Sequence, residues 1–132
     1  MRAIITTQTK QAEHDPTKLL EEIASRLSRT VTATPVRGAY TYKGDTEPTF
    51  EQATLFAGLG FSDINLLRAV AREFGQETIL IIHHTGNVSL HDTGQIFACS
   101  RDWEHLGRWQ QVKDTGGLTA WTEIGNEIWI AK

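Results

Sequence analysis

The chain has 132 residues, of which 39% are hydrophobic and 22% charged, with a formal net charge of −3. That is the size of one domain able to bury a core without staples. No apolar run approaches the ~18 residues of a spanning helix, and the acidic balance without a basic run argues against nucleic acid, whose phosphates must be neutralised by Lys and Arg.

In chain order, residues 2–7 are β-branched and predict a strand. The short polar N-terminus does not resemble a signal peptide. Asp15-Pro16 has the chemistry of a helix start, and Leu19, Leu20, Ile23, Ala24 and Leu27 then recur at helical spacing. That helix is expected to end near residues 28–30. Residues 31–42 predict a second strand, with Pro35 requiring an edge or a bulge. Gly44-Asp45 and Pro48 mark a turn, and residues 49–57 a third strand with Phe50, Leu55 and Phe56 as core.

The second helix is announced by Ser62 as N-cap, a Phe61–Leu66 staple, the apolar face Ile64, Leu67, Ala71 and Phe74, and Gly75 as its stop. Arg26 and Arg29, and Arg68 and Arg72, are read as solvated helix faces. Residues 78–82 are continuously apolar and predict a central strand. Gly86-Asn87 is read as a two-residue turn returning the chain through residues 88–92. Residues 95–99 predict another strand, in which the lone Cys99 excludes an internal disulfide and suggests a buried thiol in a reducing, cytoplasmic setting. Residues 107–112 predict a strand and 117–132 a hairpin turning at Gly125-Asn126. Trp103, Trp109, Trp121 and Trp129 all lie in this last part.

The order through residue 85 is β-α-β-β-α-β, which predicts an α+β fold: a ferredoxin-like core with extra C-terminal antiparallel strands that extend the sheet or cover its open face. The expected organisation is a single domain, 1–132, with an α+β core over 1–92 and a Trp-rich β extension over 93–132.

Three of the five histidines lie in "IIHHTGNVSLHDTG", residues 81–94. The triplets His83-His84-Thr85 and His91-Asp92-Thr93 raise the possibility of a phosphoesterase or nuclease in which paired imidazoles act as acid and base. A Gly86-Asn87 bend pairs Thr85 with Val88 and sends His83 and His91 to opposite faces, because side chains alternate. It leaves His84 and His91 as neighbours on one face with Ser89 and Thr93. A slip in register reverses that outcome. Dinucleotide, P-loop, nucleophile-elbow and Cys-x-x-Cys signatures are absent, and no cofactor or metal site is expected.

The stretches "GAYTYKGDTEPTF" (38–50) and "REFGQETIL" (72–80) resemble a group of small bacterial and phage proteins. The shared pattern falls on Glu47, Thr49, Phe50, Phe74, Gly75 and Gln76. The resemblance implies a compact intracellular protein from a phage or mobile element, and no activity. Around it, Arg37, Tyr40, Tyr42, Lys43, Glu47 and Gln76 form a candidate pocket for a small polar or phosphorylated, nucleotide-like molecule: rings to stack, cations and an amide.

The sequence therefore predicts a non-enzymatic intracellular binding or inhibitory protein, a phage counter-defence factor that sequesters such a ligand or blocks a host protein. Exposed sheet edges favour a homodimer. The alternatives are the phosphoesterase or nuclease using His83, His84 and His91, and a structural or assembly protein docking through its Trp-rich hairpin.

Overall fold

The computed structural model describes residues 1–6, 16–27, 30–94 and 103–132. Among these, eight strands and two helices follow in the order β1 (Arg2–Thr6), α1 (Pro16–Leu27), β2 (Thr32–Tyr40), β3 (Thr49–Ala57), α2 (Ile64–Glu73), β4 (Thr78–Ile82), β5 (Asn87–Asp92), β6 (Glu104–Val112), β7 (Ala120–Ile124) and β8 (Glu127–Ala131). All eight strands form one closed barrel, β1-β3-β2-β7-β8-β6-β5-β4, every pairing of which is antiparallel.

This corrects the expected fold class. A ferredoxin-like α+β sheet is open, with two free edges. Here β5, β6, β8 and β7 run the ladder from β4 round to β2, so the Trp-rich segment supplies three of the barrel's staves instead of a covering layer. Period-two patterning fits an extension, a cover or a closure equally well, because each buries one face of each strand.

Closure also removes the sheet edges on which self-association was argued. No helix among the described residues is long and apolar enough to cross a membrane.

Alternation divides the apolar residues into two cores. Ala3 and Ile5 of β1, Phe56 of β3 and Ile79 and Ile81 of β4 face outward and pack under Leu19 and Ile23 of α1 and Ile64, Leu67, Val70 and Ala71 of α2. Their neighbours along the strands, Ile4, Leu55, Leu80 and Ile82, face inward. There they meet Val36, Ala53, Val88, Leu106, Trp109, Ile124 and Ala131 to fill the barrel. The strands under the helices are therefore apolar on both faces, which accounts for the unbroken run at 79–82.

Local details separate what the sequence could specify from what it could not. A 3-10 turn, Phe61–Asp63, precedes α2, and Gly60 takes the cap position: its amide donates to Asp63 Oδ2 at 2.6 Å. Phe61 is exposed, with its ring 5.7 Å from Trp103. Gly75 closes α2 at φ 79°, and the Gln76 amide reaches back to the Ala71 carbonyl. Pro35 lies where β2 pairs with β3 but not with β7, whose pairing begins at Arg37, so its missing donor is not needed.

Phe50, expected in the core, is on the outer wall and exposed. Arg68, expected in solvent, is only 2% exposed; its Nε donates to the Asp92 carbonyl at 2.9 Å and its Nη1 to Asn65 Oδ1 at 3.0 Å. Asp15 and the strand expected at 95–99 with Cys99 lie outside the described residues.

Candidate functional site

Three places bring chemistry-bearing side chains together. The first is the histidine hairpin, where register decides everything. His83 N donates to Asn87 O and Gly86 N to His83 O, both at 2.9 Å, so the loop is three residues long, with Gly86 at φ 89° in its last position. Ile82 pairs with Val88 and Ile79 with His91. Relative to the expected Thr85–Val88 pairing the ladder is displaced by an odd number of residues, which flips one strand's faces.

His83 and His91 therefore share the outer face, and His84 is left exposed in the loop. Ser89 Oγ stands between the two rings, 2.8 Å from His83 Nε2 and 2.7 Å from His91 Nε2. Trp103 covers both, with centroids at 5.6 Å and 4.4 Å. One hydroxyl satisfies this arrangement by donating to one imidazole and accepting from the other.

Burial, reinforced by His83, Arg68 and His105, lowers the His91 pKa to about 4; burial, with His105, His84 and the N-terminal ammonium, also lowers that of His83. Ser89 is 0% and His91 1% exposed. Thr93 Oγ1 is spent on the backbone carbonyls of Gln76 and Glu77. Ser89 and His91 are closed off beneath Trp103 and spend their facing polar atoms on each other and on His83, so a substrate cannot reach the second imidazole that the phosphoesterase reading needs. Among the described residues no group of three or more His, Cys, Asp or Glu is placed to hold a metal ion.

The second place is a cleft of about 430 Å³ where α2 hands over to β4, lined by Arg72, Gln76, Thr78, Asp92 and Thr93 among others. Gln76, one of the expected ligand residues, is buried here, and its Nε2 has no partner.

The third place is the open mouth of the barrel. The ends of β2, β5 and β8 and the starts of β4, β6 and β7 meet around a cleft of about 470 Å³, within the ~300–1,000 Å³ of small-molecule sites. Its floor is aliphatic, from Leu80, Leu90 and Leu106, and its wall is aromatic, from Tyr40, Trp109 and Trp129, while Trp121 borders it with its ring turned outward onto Phe50, 6.2 Å away. Glu104 brings a carboxylate to the rim. Trp109 and Trp129 stack with centroids 5.7 Å apart and planes 10° from parallel. The Trp109 Nε1–H is buried without a partner. Tyr42 packs edge-on against Tyr40 at 4.8 Å.

The six residues expected to bind ligand are thus not brought together. Tyr40 lines the mouth with Tyr42 beside it, and Lys43 and Glu47 are exposed in the β2–β3 turn. Gln76 lies in the α2–β4 cleft. Arg37 is on the outer wall, 4.2 Å above the Phe50 ring and 2.8 Å from Glu123, whose carboxyl it holds below its ordinary pKa. Sequence reasoning missed Trp109, Trp129 and Glu104 as cleft residues. The concentration of tryptophans is the available signal, but it fits a docking hairpin as well as a cleft wall, and it is the pairing of β6 with β8 that stacks Trp109 on Trp129 at the barrel mouth.

No curated protein sequence matches the chain at a significant level. Among solved structures, a phage SAM lyase in its apo state aligns with 15% identity and a TM-score of 0.45, over 79% of this chain and 84% of that one. A phage SAM lyase in complex with S-methyl-5′-thioadenosine aligns with 15% identity and a TM-score of 0.43, over 87% and 88%. The sequence itself matches the S-Adenosylmethionine lyase family over residues 3–132. That match, which covers the helices, the staves of the barrel and both clefts, overturns the expectation of a non-enzymatic binding or inhibitory protein: the chain belongs to the S-adenosylmethionine lyase family, a family of enzymes.

Proposed function

We propose that this chain cleaves S-adenosylmethionine at its sulfonium carbon–sulfur bond, without water, in the cleft at the barrel mouth. The observation that carries the reaction is the family match over residues 3–132; the chemistry of the cleft supports the place. The substrate presents a flat adenine, a sulfonium cation and an amino acid head. Tyr40, Trp109 and Trp129 offer ring faces to the first two, and Glu104 offers a counter-charge.

The leaving group is a neutral thioether and needs no acid. An elimination would require a base to remove an unactivated hydrogen from Cβ, and the only ionisable side chains among the described residues lining the cleft are Glu104 and Tyr40. The substrate's own carboxylate is the better agent. Its oxygen bonds to Cγ as the Cγ–S bond breaks, the bonding pair passes to sulfur, and the products are S-methyl-5′-thioadenosine and homoserine lactone with its ammonium retained. No proton changes hands. The protein's task is to hold the methionine chain curled so that the carboxylate lies in line behind Cγ–S. Such orientation is worth ~10⁵–10⁸ M in effective molarity.

The partner is accordingly a small molecule, and a homodimer or a host protein gains no support from fold or family. Of the residues expected from sequence, Tyr40 belongs to the proposed site and Tyr42 buttresses it, while Arg37, Lys43, Glu47 and Gln76 stand outside its lining. Incubation with S-adenosylmethionine in ¹⁸O-water, followed by mass spectrometry, checks the reaction. The expected result is methylthioadenosine in step with unlabelled lactone. Homoserine carrying ¹⁸O at its γ-hydroxyl would mean direct attack by water, and an unconsumed substrate would mean no lyase.

A further inference from the structure

Resting on the lyase reading, we infer that Trp129, Trp109 and Glu104 read the positive charge of the substrate: the sulfonium lies against the stacked indole pair, and the cleft selects a sulfonium over the neutral thioether that results from cleavage.

Three observations point this way. The two indoles are nearly parallel and offset, so the pair presents a broad negative ring face to a cation at the barrel mouth. Glu104 is the only carboxylate among the described residues lining the cleft, and no Lys, Arg or His among them opposes it. The buried Trp109 Nε1–H has no protein partner, and an orphaned donor inside a cleft is a place for a ligand acceptor. The amino acid carboxylate is the substrate group whose charge such a donor meets best.

The arrangement has a chemical consequence. The sulfonium charge fades as the carbon–sulfur bond breaks, so the attraction is strongest for the substrate, weaker in the transition state and gone in methylthioadenosine. The device therefore captures substrate and releases product, and an interaction made mainly with the ground state appears in KM more than in kcat.

The experiment uses two probes that differ only in the methyl group and its charge: decarboxylated S-adenosylmethionine, which keeps the sulfonium but lacks the internal nucleophile, and its neutral demethylated thioether. Titration calorimetry on the wild-type protein is expected to give roughly ten-fold tighter binding of the cation. Glu104→Gln and Trp129→Leu are each expected to shrink that ratio several-fold, and Trp129→Phe to restore most of it. In turnover of S-adenosylmethionine the same variants are expected to raise KM roughly ten-fold, with kcat unchanged or raised and a smaller loss in kcat/KM.

Equal binding of the two probes by the wild type would overturn the inference, even where S-adenosylmethionine is cleaved. Equal weakening of both probes in Trp129→Leu would also overturn it, assigning that ring to adenine. Failure to cleave S-adenosylmethionine at all would sink the lyase reading instead. Glu104→Gln, an isosteric change at an exposed rim position, keeps the test open should Trp129→Leu fold poorly.

Discussion

His91 is a basic side chain held neutral. It is 1% exposed, its Nε2 is engaged with Ser89, and its Nδ1 has no partner. Folding lowers its pKa from the ordinary 6.5 to about 4. As pH falls below 6.5 the unfolded chain takes up a proton that the folded chain refuses, so stability is full above 6.5 and is lost on the way down to about 4, by at most about 1.4 kcal/mol per pH unit. Urea melts across that range are expected to show this slope, and His91→Asn to flatten it; an unchanged slope would mean that the imidazole is not the group responsible.

Arg68 is a second buried basic residue. Replacing it with Met leaves the Asp92 carbonyl and the Asn65 amide oxygen without the donors they now have, and the expected loss is about 2–4 kcal/mol in the same melts. Its burial was not legible in the sequence. Spacing placed it with Arg72 on one helix face, and spacing says nothing about which arginine the next strand's carbonyl will meet.

Among the elements, those whose boundaries are set by local chemistry were legible. The residues of β3 and β4 coincide with the expected runs, and Gly75 stops α2 where its freedom at positive φ is needed. The two Gly-Asn turns show where local chemistry runs out. Between β7 and β8 Ile124 pairs with Glu127, and Gly125-Asn126 is a two-residue turn as expected. Between β4 and β5 the same dipeptide follows His84 and Thr85, and the glycine serves as the last residue of a longer loop. Both turns need a glycine at positive φ, so the dipeptide does not choose between them. The packing of Ile79 and Ile81 under the helices does.

Gly107 and Gly38 offer a matched test of strand geometry. A Cβ on Gly107, at φ 113°, would fall 2.3 Å from the Lys132 carbonyl carbon, beside the irregularity where β5 pairs with β6. On Gly38 it would meet nothing closer than 3.9 Å. Gly107→Ala is expected to destabilise by about 2–4 kcal/mol and Gly38→Ala to be neutral or stabilising by about 0.5 kcal/mol, which thermal denaturation of the pair would check.

For the molecule as a whole the decisive event is closure. Within the barrel the first four strands stand in the order β4-β1-β3-β2, and what makes them part of a ring is the path β4-β5-β6-β8-β7-β2. No residue announces that path. It depends on β8 pairing with β6 on one side, through Trp109–Ala131 and Val112–Ile128, and with β7 on the other, through Thr122–Trp129 and Ile124–Glu127. β8 is therefore the stave whose loss opens the barrel on both sides at once. Ending the chain after Asn126 would strip partners from β6 and β7, uncover Trp109, Leu106 and Ile124 of the interior, and remove Trp129 and Ala131 from the wall of the cleft. The helix-covered core beneath α1 and α2 contains no residue of β8. The expected outcome is a species that retains helical circular dichroism, binds a hydrophobic dye, unfolds without a sharp transition and has lost all turnover. A truncated chain that still melted cooperatively and excluded the dye would show that the sheet does not need closure to hold its interior, and the barrel mouth would then lose its claim to be a site built by the ring.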